Sequence, residues 1–288
     1  MDAWHPRPDP TGAIRHEAVP FAALGRRDHR PVPLQADALC AAVRADLRRQ
    51  GDEHRDVLFF IHGHRLWLPG LRLGLLRELH DRYVAGPRGP VGVIVFFSWP
   101  DRGWPWLEDD EAYASGDDFF ARGSGLLAAL RDAAGGRMHL LVQSFGHHLL
   151  AGMVARAVAE GHDRPPFRSC LLAGADVPQA SIGSGGVILT SRGDAGRSYR
   201  FDQMHRLAER TVVYYDPRDR ILPAARALMM NRYPRLGRLG CAGLQVPDHI
   251  TCRDVSGAGD LPRWPLARHR SFITSRAVAA MMAAQIRC

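Results

Sequence analysis

The stretch Met138-His-Leu-Leu-Val-Gln143-Ser144-Phe145-Gly146-His-His-Leu-Leu-Ala-Gly-Met-Val-Ala-Arg-Ala-Val158 decides the reading of the chain. Its first five residues, Met138 to Val142, form a short apolar run of the kind demanded of a strand buried on both faces. The run breaks at Gln143-Ser144-Phe145-Gly146. Beyond it, Leu150, Met153, Val154, Ala157 and Val158 recur at the spacing of one helix face. Strand, sharp turn and helix with a serine at the apex is a geometry that lifts a hydroxyl above a sheet. Gly146 is small enough to let the new helix pass close to the strand it leaves. Ser144 is therefore the candidate nucleophile.

Working outward, apolar runs alternate with helical periodicity. Val57 to Ile61 reads as a strand ending at His62-Gly63-His64, and Val91 to Phe97 as the next, ending at Ser98-Trp99-Pro100. Further strands are expected over Ser169–Ala173, Thr211–Tyr215 and Ile250–Val255. Helices are expected over Leu34–Arg49, from Pro69, from Asp117 or Asp118 as N-cap, from Pro223, and over Ser275–Ile286. Asp101 to Gly116 reads as an irregular loop, and the Gly- and Ser-rich Ser181 to Gly196 as a mobile one. This alternation predicts an α/β fold with a mostly parallel central sheet flanked by helices. One domain is expected over residues 34–288. Residues 1–33 precede it as an irregular extension, with Ile14 to Phe21 a candidate edge strand.

Composition narrows the chemistry. With 46% apolar and 24% charged residues in 288, the chain can bury a full core. The formal charge of +8 rests on arginine alone, since no lysine occurs. That excludes a lysine Schiff base and a P-loop. The arginines are scattered, without interleaved aromatics, so no nucleic-acid partner is expected. No apolar run is long enough to cross a bilayer, and no signal peptide is evident, so a cytoplasmic protein is expected. The cysteines Cys40, Cys170, Cys241, Cys252 and Cys288 lack any C-x-x-C pair and read as free thiols.

A serine hydroxyl needs a base to take its proton, and the base needs an orienting carboxylate. After a serine elbow the partners follow in the order acid, then histidine, just past later strands. Asp219 is the favoured acid and Asp176 its rival, while Asp216, directly before Pro217, is read as shaping a turn. His249 precedes the last strand, at its wrong end, whereas His269 lies beyond it and is the candidate base. Two backbone N–H groups should stabilise the oxyanion, those of Phe145 and His64, with Gly63 permitting the turn. Trp99, Gln143 and His147 are candidate pocket residues, and Trp104 and Trp106 stand between pocket and filler.

Other readings fare worse. His62-x-His64 lacks the following carboxylate of a metal site, and His147 and His148 point about 100° apart on a helix. Gly123-Ser-Gly125 follows no buried strand, so its likeness to a dinucleotide fingerprint is incidental.

The ordered motifs Phe59-Phe-Ile-His62-Gly63, Phe97-Ser-Trp-Pro100, Tyr113 to Asp117, Gln143-Ser-Phe-Gly146, Ala173-Gly-Ala-Asp176, Asp219-Arg-Ile-Leu222 and His269-Arg-Ser-Phe272 resemble those of a bacterial α/β-hydrolase family of unknown function, esterase- or lipase-like. The resemblance spans Asp56 to Met282. It implies an α/β-hydrolase fold, hydrolysis of a small ester or acyl substrate through an acyl-serine, and no metal or organic cofactor. Two positions depart from the family pattern: Val142 stands where Gly or Ala is usual, and Gln143 where His is usual. The alternative reading is a catalytically degenerate hydrolase-fold protein acting as a binding or interaction module. Substrate identity and oligomeric state are not legible.

Overall fold

The computed structural model describes residues 21–24, 31–34, 36–50, 56–64, 69–84, 89, 91–99, 105–189, 196–228, 233–264 and 267–287. The strands β1 (Phe21–Leu24) and β2 (Pro31–Leu34) pair antiparallel, and α1 (Ala36–Gln50) follows them. The expected edge strand over Ile14 to Phe21 lies, but for Phe21, outside the described residues. The chain then alternates: β3 (Val57–Ile61), α2 (Pro69–Tyr83), β4 (Val93–Phe97), α3 (Pro105–Ala133), β5 (Met138–Gln143), α4 (Gly146–Ala159) and β6 (Phe167–Ala173). A small hairpin of β7 (Val187–Leu189) and β8 (Arg197–Tyr199) precedes β9 (Ala208–Tyr215), α5 (Ile221–Leu228), α6 (Leu236–Leu239) and β10 (Ile250–Asp254). The described chain closes with α7 (Ser271–Thr274) and α8 (Arg276–Arg287).

Six strands form one sheet in the order β10-β9-β6-β5-β3-β4, every neighbouring pair parallel. Two-sided burial explains their continuous apolar runs. Val57, Phe59 and Ile61 of β3 join one core with residues of α1, α3 and α4. Leu58 and Phe60 join the other, with Leu79 and Tyr83 of α2 and Val278, Met282 and Ile286 of α8. From β3 the chain steps outward to β4, then returns to the other side of β3 as β5. The carboxyl ends of β3 and β5 therefore bound a switch point, where parallel sheets open a crevice.

Three expectations need correction. The loop read over Asp101 to Gly116 is, from Pro105 onward, the first turns of α3, so Asp117 and Asp118 lie inside that helix instead of capping it. At Gly116, where that loop was expected to end, a Cβ would sit 1.8 Å from Leu149 O; the glycine lets α4 cross α3, as does Gly152, whose Cβ would lie 2.0 Å from Tyr113 O. Asp117 takes both arms of the Arg156 fork at 2.9 and 2.7 Å across that crossing. The stretch read as a loop over Ser181–Gly196 contains β7; residues 190–195 lie outside the described residues. Finally, Cys241 and Cys252 form a disulfide tying the turn after α6 to β10, with Cα atoms 5.8 Å apart. Such pairing depends on which loops the fold brings together, which dispersed cysteines do not reveal. Cys40 and Cys170 are buried free thiols, and Cys288 lies outside the described residues. Among the described residues no helix is long and apolar enough to cross a membrane.

Candidate functional site

β5 ends at Gln143, and the next residue, Ser144, turns the backbone into the left-handed region at φ 54°. It is the only described residue other than glycine to do so. That conformation costs roughly 1–3 kcal/mol and persists only where neighbours over-determine it. Here they do. Ser144 N–H donates to Ala173 O at 3.0 Å, and Ser144 O accepts from His147 N–H at 3.2 Å and from Asp176 N–H at 3.4 Å. The His147 ring lies with Nδ1 2.6 Å from the same carbonyl.

Two glycines clear the space. A Cβ on Gly146 would fall 2.6 Å from His62 O, so α4 passes close to the end of β3, not to its own strand as the sequence reading had it. A Cβ on Gly63 would fall 2.8 Å from both Ser144 Cβ and Gln143 Oε1, and Gly63 N–H donates to that Oε1 at 3.2 Å. The loop after β3 thus abuts the serine, held by the Gln143 side chain.

Ser144 Oγ lies 2.7 Å from His269 Nε2, and His269 Nδ1 lies 2.6 Å from Asp219 Oδ2. A carboxylate at Nδ1 fixes the proton there and leaves Nε2 as an acceptor for the serine hydroxyl. Ser144 is 9% exposed, His269 7% and Asp219 0%. Asp219 is itself held, its Oδ1 accepting Ile221 N–H at 2.8 Å where α5 begins. Burial opposes protonation of His269, but its hydrogen bond to Asp219, the Asp219 charge and the more distant Asp176 charge outweigh it, so its pKa rises above the ordinary 6.5. His147 goes the other way. Burial dominates, its bond to Ser144 O only partly offsets this, and the His269 charge adds to the fall, bringing its pKa to about 3. His147 is therefore a neutral prop beneath the serine.

The loop that delivers His269 is anchored one residue earlier. Arg268 Nε meets Asp216 Oδ2 at 2.7 Å, while Asp216 Oδ1 accepts Arg218 N–H at 2.9 Å. Asp216 shapes its turn as expected, and also pins the turn Arg268–Arg270 over the sheet. On the other side, Gly174 at φ 56° leaves room for Phe272, whose ring stands edge-on to His269 at 6.5 Å. Asp176 is turned to Arg235, Nε to Oδ1 3.0 Å, with both side chains buried. Of the two candidate acids, Asp219 is the one that touches His269.

The remaining candidates cluster below the serine. The rings of His64 and Phe145 are 5.4 Å apart, which brings their two loops together beside Ser144. Trp99 is 1% exposed, donates Nε1–H to His62 O at 2.9 Å and stacks on His62 and Phe145. Trp99 packs under the loop after β3, Gln143 holds Gly63, and His147 lies against the Ser144 carbonyl. Trp104 lies outside the described residues. Gly123 and Gly125 lie within α3, away from any strand end. His249 sits just before β10, at the opposite end of that strand from the carboxyl end beyond which His269 stands. Among the described residues no group of three or more His, Cys, Asp or Glu could hold a metal ion.

A second hydrogen-bonded triple escaped the sequence reading. His139 Nδ1 lies 2.7 Å from Ser169 Oγ, and its Nε2 3.2 Å from Asp56 Oδ1, at the amino end of the sheet. His139 and Ser169 are register partners on β5 and β6, a relation readable only once the strand order is known.

A family model described as "Alpha/beta hydrolase of unknown function (DUF900)" matches residues 36–256, and the chain belongs to that family. The six-stranded parallel sheet between helical layers is accordingly an α/β-hydrolase sheet. Ser144 and Asp219 fall inside the matched span, and His269 beyond it. Solved structures similar to the chain include an esterase from Pyrobaculum calidifontis, at 13% identity over 88% of this chain and 93% of that one with a TM-score of 0.39. A carboxylesterase from Mesorhizobium loti is 13% identical over 93% of this chain and 99% of that one, TM-score 0.39. A hormone-sensitive lipase from a metagenome library is 13% identical over 89% and 93%, TM-score 0.43. No curated protein matches the chain.

Proposed function

We propose, with that family membership as the premise, that the chain is a serine hydrolase. It cleaves an ester or related acyl bond of a small molecule through an acyl-serine, and residues 34–288 act as one catalytic domain. The observation that carries this reading is the unbroken hydrogen-bonded path Asp219–His269–Ser144, meeting at a serine held in the left-handed region.

His269 Nε2 accepts the Ser144 proton as Oγ attacks the acyl carbon. The imidazolium that forms is stabilised by Asp219, which holds the tautomer throughout. The oxyanion gathers between the backbone N–H groups of Phe145 and His64, each donor of this kind being worth about 10²–10³ in rate. His269 then gives its proton to the leaving group. Water, activated by the same nitrogen, releases the acid. Each step shuttles one proton through one imidazole, which suits a base placed between a buried carboxylate and the hydroxyl.

Val142 is the residue that favours the binding-module alternative. It lies within β5, buried between its register partners Ile61 and Leu172, with Gln143 between it and the turn at Ser144. The test is labelling with a serine-directed fluorophosphonate, run beside Ser144→Ala, followed by p-nitrophenyl esters of graded acyl length. Labelling of the wild type alone is expected. A folded wild type that neither labels nor turns over any ester would sink the enzyme reading and favour the module.

A further inference from the structure

A cleft of about 690 Å³ opens beyond the carboxyl ends of β9 and β10, lined by the turns that follow these two strands. Four arginines face it: Arg218, Arg220, Arg263 and Arg268. One carboxylate answers them, Asp216, which is fully buried and already spent on Arg268 and on Arg218, through that residue's backbone N–H and, at 4.0 Å, its guanidinium Nε. Ser256 O takes the outer nitrogens of Arg218 and Arg268, which holds both guanidinium groups at the wall. The neighbouring acids look elsewhere. Asp219 faces His269, Asp254 accepts Ser256 N–H at 2.7 Å, and Asp260 accepts the Ser275 hydroxyl and, at 2.6 Å, Arg276 N–H where α8 starts. Among the described residues Arg220 and Arg263 have no acidic partner.

Four like charges converging on one concavity repel each other unless an anion enters, and a site with one internal carboxylate leaves most of that charge uncompensated. Guanidinium forks match the oxygens of a phosphoryl group in geometry as well as sign. The volume exceeds what a bare phosphate fills and falls within the range of sites for organic ligands, about 300–1,000 Å³. We infer that this cleft is a binding site for a phosphate-bearing small molecule, with Arg220 and Arg263 as the two arginines left free to grip its phosphoryl oxygens. Arg220 follows Asp219 and Arg268 precedes His269, so the cleft shares both of its loops with the serine site. From β5 across β6 to β9 the sheet spans about 10 Å at ~4.8 Å per strand. The phosphoryl group is thus either the far end of the hydrolysed substrate or part of a separate ligand.

The test is calorimetric titration of the full chain with inorganic pyrophosphate at low salt, beside the double variant Arg220→Gln/Arg263→Gln, each checked by thermal melting. Saturable one-site binding by the wild type, at least about tenfold weaker in the variant, is expected for the loss of two charge-assisted contacts. Absence of saturation in the wild type overturns the inference, as does equal affinity in the two folded proteins, which would mark a diffuse response to the net charge. If the double variant does not fold, Arg263→Gln alone carries the same contrast, with at least about threefold weakening expected. Two arms assign the source, and either result upholds the site. Pyrophosphate that inhibits turnover of a p-nitrophenyl ester with a phosphate-ended acyl chain, but not of p-nitrophenyl butyrate, marks the substrate's own group; inhibition of neither marks a separate ligand. Ser144→Ala should bind pyrophosphate as the wild type does, so failure of the serine chemistry and failure of the anion site are separate results.

Discussion

The sheet carries a serine, a histidine and an aspartate in hydrogen-bonded sequence at each of its ends. At the carboxyl end Ser144, His269 and Asp219 are linked at 2.7 and 2.6 Å; at the amino end Ser169, His139 and Asp56 are linked at 2.7 and 3.2 Å. Distances alone barely separate them. Their surroundings do. Ser169 is a mid-strand residue with no access, and the backbone around it is engaged in parallel ladders with β5 and β9. Ser144 stands on a strained turn, outside any ladder, against a glycine loop and at the start of a helix. On the proposed reading, the triple suited to react is the one where the backbone leaves the sheet, since there N–H groups can be turned toward a developing charge. Inside the sheet the same three residue types satisfy one another and tie strands together.

That contrast is sharpest in a pair of alanine substitutions. Ser144→Ala should lower kcat by about 10⁴-fold or more while leaving the melting curve nearly in place. Ser169→Ala should do the reverse, keeping kcat within about twofold and costing about 1–3 kcal/mol of stability as His139 loses its buried partner. Ester turnover and chemical denaturation of both variants decide it; comparable loss of activity in the two would erase the distinction. Next in size, Asp219→Asn should cost about 10⁴ in kcat by releasing the histidine tautomer, whereas Asp56→Asn should leave kcat near that of the wild type.

The pH profile offers a gentler probe. Because Asp219 and Asp176 hold the His269 pKa above 6.5 despite burial, the charged form is favoured in the folded state. The stabilisation this brings is fully present below the unfolded value and fades as pH rises through the folded one. Activity runs opposite, since the base must be neutral. The acid limb of kcat/KM should therefore lie above pH 6.5 and move down in Asp176→Asn, which removes the more weakly acting of the two carboxylates. An acid limb that ignores position 176 would detach Asp176 from the site. The smallest change in stability is expected for Ser144→Gly, which abolishes labelling yet should stabilise the fold by about 1 kcal/mol, as the left-handed backbone no longer carries a Cβ. A lower melting temperature for this variant would mean the turn is not strained.

Much of this was legible in the letters, for identifiable reasons. β3 and β5 announce themselves because burial on two faces keeps Val57–Ile61 and Leu140–Val142 free of polar residues, with His139 the buried exception near the start of β5. Ser144, Asp219 and His269 could be nominated together because strand order constrains where a loop can reach. What stayed hidden depends on contacts between distant segments. Gly116 reads as the end of a loop and is a crossing point in the fold. Cys241 and Cys252 pair only because the turn after α6 lies beside β10. Asp216 and Arg268 are 52 residues apart, and nothing local in either reveals a buried ion pair. Likewise, the choice of Asp219 over Asp176 at His269 rests on Arg235 taking the rival carboxylate.

The separation of Ser144 from His269, 125 residues along the chain, has a consequence for how the protein is made. A ribosome completes the elbow, its supporting histidine and the neighbouring strands long before the imidazole emerges. On the proposed reading, any form in which the His269 loop is undocked carries an unactivated Ser144 hydroxyl, and turnover requires that loop in place. Regain of turnover after dilution from denaturant would report docking of that loop, and its rate can be set beside the recovery of spectroscopic signals from the sheet.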